Sequence, residues 1–429
     1  MLLKNDFKIF CQNIELNNLP DMETTAGEIA KKLNKHYYNL DNDTDSHLYI
    51  VGSVGRKTAI KNSSDLDIIF DLPNDVFKRF DEHETNGQSN LLQEVKNVLK
   101  ERYPRTEISG DGQVVVINFS DYTVELVPGF KQESGKFKYP DTNDGGSWKI
   151  TDPLSEQKEC KSCDDTSNKK FYDFCHIIRA WKNKIGFKFG GLLIDTLVYN
   201  CFNKNDNFKE DDDYYKILKS LWGFLKDQDK DQSFWYAVGS NQKVYNSSNG
   251  NFVAKAKKAY NKIQEAESNN DNINDVLRNL LGKDFPKNEQ RQYTKESKAF
   301  NDTEEFIEDL FPVDVRYNLS IECNVSQDGW RSTLLKDLLK NGFLRKNKKL
   351  DFYIESTDCP APYDIYWKVR NVGRVAEDKD CIRGQIRKTN NSHQYEHSDF
   401  QGEHFVECYL VKNKICVAKS RIEVPISTI

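Results

Sequence analysis

The sequence has no excess of positive charge, no long hydrophobic run, no second Cys-x-x-Cys and no internal repeat. Each absence removes a class of protein. The 62 Lys and Arg are outnumbered by 67 Asp and Glu, a formal charge of −5, so no overall basic field for nucleic acid exists, although a local basic site stays open. No apolar run approaches the roughly 18–20 residues of a membrane helix. The opening MLLKNDFKIFCQN has neither an apolar signal core nor a small-residue cleavage site. A cytoplasmic protein with no membrane partner is the expectation. The ten cysteines are scattered, and reduced thiols are the default for such a chain. Cys160 and Cys163 form one Cys-x-x-Cys, but a zinc site needs four ligands and only Cys175 and His176 lie near. They read as ordinary loop cysteines.

With 429 residues, the chain is long enough for two or three domains with proper cores. Residues 21–40 read as a helix capped by Thr24 or Thr25, with Ile29, Leu33 and Tyr37 along one face. A second helix is expected over 90–104, stopped by Pro104, and two or three strands over 106–130 with a Gly-Asp-Gly turn at 110–112. Residues 131–168 read mostly as loop. Amphipathic helices follow from Lys169 to about Phe300, separated by acidic or Asn-rich connectors such as 203–213. The last third alternates like strands over 311–325 and 363–373, has a short helix near 331–343, and ends in a hairpin, 404–426, turning at Lys412–Lys414. The expected architecture is α+β: a mixed-sheet core at 1–150, a helical lobe at 151–300 and a small β-rich domain at 301–429.

Chemistry concentrates in VGSVGRKTAIKNSSDLDIIFDL, residues 51–72. A turn at Gly52-Ser53 offers backbone N–H groups and a hydroxyl suited to a triphosphate, and Arg56 and Lys57 follow within reach of phosphate oxygens. Asp65 and Asp67 alternate with Leu66 and Ile68, so strand geometry puts both carboxylates on one face. Two carboxylates about 4 Å apart repel by roughly 4 kcal/mol at an effective dielectric near 20, which a bound cation or solvent must offset. A third acid comes from DYTVELVPGF: Glu125, with Asp121 as a same-face rival. Three acids and two Mg²⁺, or Mn²⁺, would make a two-metal phosphoryl-transfer site.

GSVGRKTAIKNSSDLDIIF resembles the signature of the polymerase β-like nucleotidyltransferases, and most of all the SMODS branch of the bacterial cGAS/DncV-like enzymes, the CD-NTases. Glu125 followed by Val127-Pro128 strengthens the match, although many relatives carry Asp at that position. The resemblance extends to PDTNDGGSWKITDP, which implies that Trp148 lines the nucleotide pocket. It extends to IRAWKNKIG, which implies that Lys182 binds triphosphate, and to GGLLIDTLVY, where Asp195 is a candidate polar contact at the nucleotide site. The stretches 366–386 and 401–426 resemble the adenylyl/guanylyl and SMODS C-terminal sensor domain (AGS-C). Trp367, Arg370, Arg383 and His404 are its candidate ligand contacts, a ring to stack a base and arginines to hold phosphate.

What the resemblance implies is a synthase that joins NTPs, ATP among them, into a cyclic oligonucleotide for an anti-phage (CBASS) system. A downstream effector would read the product, and an activating ligand or nucleic acid would act at the C-terminal domain. Two other readings stay open at this point: a nucleotidyltransferase extending RNA, tRNA ends or linear oligonucleotides, and a nucleotide-binding regulator with little turnover.

Overall fold

The computed structural model describes residues 2–205, 208, 213–287, 304–329, 331–379 and 381–427. The expected boundary at 300/301 and most of the acidic connector 203–213 lie outside the described residues. The chain forms two compact units. The first comprises Met1–Ala180, Gly190–Val276 and Leu281–Pro286; the second comprises Trp181–Phe189, Leu277–Leu280 and Lys287–Ile429. Most of the stretch expected as a separate helical lobe therefore lies in one unit with the sheet.

The first unit opens with helices α1 (Leu2–Asn13) and α2 (Leu19–Tyr38). Strand β1 (Leu48–Ile50), the short helix α3 (Gly52–Gly55) and strand β2 (Asp65–Asp71) follow. Helices α4 (Asn74–Asp81) and α5 (Gly87–Arg102) lead into β3 (Glu107–Asp111), β4 (Val114–Asn118), β5 (Thr123–Lys131), β6 (Phe137–Asp141) and β7 (Ser147–Thr151). The sheet order is β1-β2-β5-β4-β3, with β6 and β7 extending from β5. Within this sheet, among the described residues, only β2 and β5 pair in parallel; α4, α5 and the β3–β4 hairpin fill the long connection that a parallel pair requires.

Alternation builds the part of this sheet that carries the acids. Leu66, Ile68, Val124 and Leu126 point to the core, where α2 supplies Met22, Ala26, Ile29 and Leu33 and α5 supplies Leu91, Val95 and Leu99. The intervening Asp65, Asp67, Thr123 and Glu125 are half-buried on the opposite face. The helix expected at 21–40 begins earlier, at Leu19 with Pro20 in its first turn; Thr24 hydrogen-bonds back to the Pro20 carbonyl from within it rather than capping it.

Residues 131–168 are not mostly loop. Besides β6 and β7, they hold α6 (Pro153–Thr166), whose start is set by Asp152 accepting from the Ser155 N–H and by Pro153 at its first position. Cys160 and Cys163 lie buried one turn apart on α6 rather than in a loop, and all ten cysteines are free thiols. Helices α7 (Lys170–Ile185), α8 (Gly191–Lys204) and α9 (Tyr214–Lys226) come next. A small hairpin, β8 (Phe234–Tyr236) with β9 (Lys243–Tyr245), precedes α10 (Asn251–Asn269) and α11 (Ile273–Leu281). No helix among the described residues is long and apolar enough to cross a membrane.

The second unit is β-rich. Its elements are α12 (Ile307–Leu310), β10 (Leu319–Ser326), β11 (Thr333–Leu334), α13 (Leu335–Asn341), β12 (Leu344–Arg345), β13 (Lys349–Thr357) and β14 (Asp364–Arg370). Then come α14 (Arg374–Asp378), β15 (Ile386–Lys388), β16 (His393–His397), β17 (Gly402–Lys412) and β18 (Ile415–Ser427). They form two sheets, β11-β10-β13-β16 and β12-β18-β17-β14-β15, which share a core that includes Cys323, Phe352, Trp367, Cys408 and Leu410. The hairpin expected at the C-terminus is β17–β18, and it turns at Asn413-Lys414, both with positive φ, the pairing of a two-residue hairpin turn.

Candidate active site

The glycine-serine turn and the acids meet because β1 and β2 are antiparallel neighbours. The chain leaves β1 at Ile50, and the Val51 N–H donates to the Asp67 carbonyl at 2.9 Å. Gly52 then adopts φ +61°, and a Cβ there would stand 1.8 Å from Asp67 Oδ2. Only glycine allows both the left-handed backbone and the carboxylate's approach. The carbonyl of Ser53 accepts from the N–H groups of Thr58 (2.9 Å) and Ala59 (3.1 Å), which closes the turn over α3.

Parallel pairing sets Asp67 opposite Glu125 and Asp65 opposite Thr123. Paired strands run about 4.8 Å apart and alternate residues on one strand about 6.6 Å apart, so the three carboxylates share one small patch. At an effective dielectric near 20, two charges about 5 Å apart repel by about 3 kcal/mol, and a hard divalent cation taking carboxylate oxygens is the natural counterweight. Among the described residues no three His, Cys, Asp or Glu are already gathered at metal-binding geometry. The donor chemistry and the shared face nonetheless suit Mg²⁺, and Asp65, Asp67 and Glu125 are the residues that could hold it. Asp121, the expected rival to Glu125, sits in an exposed bend before β5. Asp71 lies at the far end of β2, where it accepts the Lys131 N–H at 2.7 Å.

Arg56 and Asp195, both expected at the nucleotide, are instead buried partners of one another. Arg56 is 6% exposed; its Nε donates to Asp195 Oδ2 and its Nη1 to Glu156 Oε2, each at 3.0 Å. Arg179 grips Asp195 with both terminal nitrogens, at 2.6 and 2.9 Å, and Thr58 Oγ1 adds a bond at 2.9 Å. Burial works against the Asp195 charge, but the guanidiniums of Arg179 and Arg56 outweigh it and hold the carboxyl at about 2. Burial wins at Glu156, whose carboxyl lies above its ordinary value despite Arg56 and a hydrogen bond from Ser240 at 3.0 Å. This network bolts the turn to α6, α7 and α8. His176, also inside this unit, places Nε2 3.1 Å from the Lys57 carbonyl, and burial lowers its imidazole to about 4. Of the two turn cations, it is Lys57 that is exposed.

Trp148 and Lys182 are also engaged elsewhere. Trp148 packs edge-on against Phe77 and Phe130, and its Nε1 donates to Asp81 at 2.8 Å, which makes it part of the first core rather than a bare pocket wall. Lys182 belongs to the second unit and donates to Asp314 at 3.3 Å. Burial opposes the Asp314 charge, but Lys182 and Arg316 hold its carboxyl well below the usual range.

Residues 1–164 match the family model of the Second Messenger Oligonucleotide or Dinucleotide Synthetase (SMODS) domain, and residues 301–427 that of the Adenylyl/Guanylyl and SMODS C-terminal sensor (AGS-C) domain. The chain is a SMODS-branch CD-NTase that ends in an AGS-C domain. It is accordingly a nucleotidyltransferase of the class that makes oligonucleotide or dinucleotide second messengers. Among solved structures, CdnC of E. coli MS115-1 with ATP superposes with a TM-score of 0.51 at 14% identity, covering 66% of this chain and 98% of that one. The same CdnC in its HORMA-deltaN complex gives the same figures. The Elizabethkingia meningoseptica CdnE cyclic dinucleotide synthase with GTP and Apcpp gives 0.44 at 13% identity, over 59% of this chain and 97% of that one. At such identity the likeness to CdnC is one of fold. No curated protein matches the chain.

Within the AGS-C domain, each of the four expected ligand contacts is engaged with the protein itself. Trp367 is 2% exposed in the core, with Nε1 donating to the Asn391 carbonyl at 2.9 Å. Arg370 donates to the Arg383 carbonyl at 3.0 Å and lies 3.4 Å from Glu304. Arg383 forks onto Glu396 at 2.5 and 3.0 Å. His404 is buried, which lowers its pKa and favours the neutral ring; Nδ1 then accepts the Val372 N–H at 3.1 Å while Nε2 donates to the Phe400 carbonyl at 3.0 Å. Each is spent on holding strands and loops together.

Proposed function

We propose that this CD-NTase joins NTPs, ATP among them, by two-metal phosphoryl transfer and closes them into a cyclic oligonucleotide for anti-phage (CBASS) signalling in the cytoplasm. The observation that carries this reading is the register pair Asp67–Glu125, with Asp65 on the same face and Asp67 packed against the side-chain-free Gly52. Asp65, Asp67 and Glu125 would hold two Mg²⁺, or Mn²⁺. Such ions lower the pKa of an attacking hydroxyl and stabilise departing pyrophosphate. The turn at Gly52 and Ser53 gives the donor triphosphate its backbone contacts, and exposed Lys57 is the turn cation placed to meet phosphate. The carboxylates fix where the α-phosphorus and the acceptor ribose hydroxyl stand, so that attack runs in line against the leaving pyrophosphate. Glu125 adds one methylene to the usual aspartate, and its place opposite Asp67 keeps its oxygens on the same patch. A downstream effector would read the product. The complex of the structural relative CdnC with HORMA-deltaN supports looking for a regulatory protein partner as well.

The test is a reaction of purified protein with labelled NTPs and Mg²⁺ or Mn²⁺ without nucleic acid, treated with phosphatase and resolved by chromatography. A phosphatase-resistant small product is expected, absent from a folded Asp67→Asn variant. Omitting each NTP in turn names the bases. Full turnover by Asp67→Asn would sink the metal assignment, and growth of a linear chain on added RNA alone would favour the RNA-extending reading.

A further inference from the structure

The four-stranded sheet of the AGS-C domain has one face in the core and one in solvent. Ile321, Cys323, Val325, Leu350 and Phe352 supply the core face. On the outer face, three rings stand in a column. Tyr353 and His393 are stacked with centroids 5.9 Å apart and planes at 27°, and His393 and Tyr395 at 6.0 Å and 15°. Register explains the column: Tyr353 pairs with His393 across β13 and β16, and Tyr395 is the next residue on that face. Asp351, opposite Tyr395, lies 2.8 Å from His393 Nδ1 and fixes the imidazole between its neighbours. Tyr395 at the end of the column is 66% exposed.

The column leads toward charge. His397 follows Tyr395 on the same face and pairs with Lys349. The turn feeding β13 reads Arg345-Lys346-Asn347-Lys348-Lys349, four cations in five residues, with Arg345 and Lys346 exposed. Carboxylates stand nearby as well: Asp351 against His393, Asp328 paired with Lys349 at 3.0 Å, and Glu322 and Glu355 sharing Lys336 at 2.7 and 3.6 Å. The positive charge is therefore local to the turn, where Arg345 and Lys346 are exposed, in a chain whose total charge is negative.

Exposed ring faces beside a basic turn are the chemistry of single-strand recognition. Bases stack on aromatic rings, and cations neutralise the phosphates. A duplex hides its base faces and cannot use the rings. We propose that the outer face of β13 and β16 binds single-stranded nucleic acid, with bases continuing the stack on Tyr395 and phosphates on the Arg345–Lys349 turn. The site uses none of the residues of the nucleotidyltransferase centre and does not depend on the function proposed for it. It gives the sensor domain a ligand class through residues other than Trp367, Arg370, Arg383 and His404.

The experiment is fluorescence anisotropy of the full chain with labelled single-stranded RNA, single-stranded DNA and duplex of roughly 20 nucleotides, longer than the ~4–16 that one stacking groove covers. Both single strands are tested, and a preference for RNA or for DNA identifies the natural source. Tyr395→Ala should weaken binding at least about fivefold, the lower end for removing a base-stacking ring, while Tyr395→Phe keeps most of it. Arg345→Ala with Lys346→Ala should reduce the slope of log K against log salt by about 1.4, about 0.7 for each phosphate contact. Tyr236→Ala, in the first unit, should change nothing, and Asp67→Asn should bind like the wild type. No binding by the wild type, duplex binding as tight as single-strand binding, or unaltered affinity in Tyr395→Ala would each overturn the proposal. All these side chains except Asp67 are exposed, and a melting curve for each variant separates lost binding from lost fold.

Discussion

Replacing Asp195 by Asn tests whether one buried carboxylate secures the turn. The substitution keeps the shape but removes the charge that faces two guanidiniums, Arg56 and Arg179, each about 6% exposed. Breaking a buried ion pair by neutralising one partner costs about 3–5 kcal/mol. Linkage gives a compatible figure: a carboxyl held at about 2 rather than at its ordinary 3.8 contributes about 2–3 kcal/mol at neutral pH. The sign follows from the depressed value. The contribution is complete above the unfolded pKa, near 4, and is lost as pH falls through about 2. Urea unfolding followed in the far ultraviolet, which the helices of the first unit dominate, should therefore show Asp195→Asn less stable by about 3 kcal/mol or more at pH 7. The gap from wild type should narrow as pH drops below about 4. Glu156→Gln is the internal control. Burial already disfavours the Glu156 charge, and Gln can still accept from Arg56, so its cost should stay below about 1 kcal/mol. Equal costs for the two substitutions, or an Asp195→Asn variant within about 1 kcal/mol of wild type, would refute the reasoning.

Two further expectations concern single positions. Gly52→Ala places a methyl where Asp67 Oδ2 stands and forces a left-handed alanine that costs about 1–2 kcal/mol, so it should lower nucleotidyl transfer more than it lowers the melting temperature; activity equal to wild type would show that the turn can reshape. Trp367→Phe loses the bond to the Asn391 carbonyl and leaves that oxygen to find another donor, so calorimetry should show the second unit destabilised by about 1–3 kcal/mol; an unchanged transition would return Trp367 to the list of ligand contacts.

The strand at 65–71 was legible because charge alternates with apolar residues at period two, and that period also put Asp65 and Asp67 on one face. Glu125 was legible as a strand acid, but its register opposite Asp67 arises from parallel pairing across a connection of about fifty residues, which no local pattern encodes. Arg56 shows the same limit of local pattern. Beside a glycine-serine turn it looks like a phosphate ligand, yet Asp195 and Glu156, 139 and 100 residues away, take its Nε and Nη1 inward. Trp367 and His404 likewise carry ligand-like chemistry whose use was decided by burial. The start of α6 was there to be read, since Asp152-Pro153 is a cap followed by proline at the first helical position. Helix α10 was harder, because its buried stripe of Phe252, Ala256, Ala259, Ile263 and Ala266 is mostly alanine and makes a weak hydrophobic signal.

The charged network also bears on how such enzymes can be recombined. A fragment cut at residue 164, where the SMODS match ends, would keep Arg56 and Glu156 but leave Arg179 and Asp195 behind. The part that looks like a self-contained module in sequence would then carry a buried guanidinium facing the less willing of its two carboxylates. Swapping catalytic halves between relatives should succeed only when positions 56, 156, 179 and 195 travel together, so the unit of inheritance here is a set of four side chains rather than a stretch of chain.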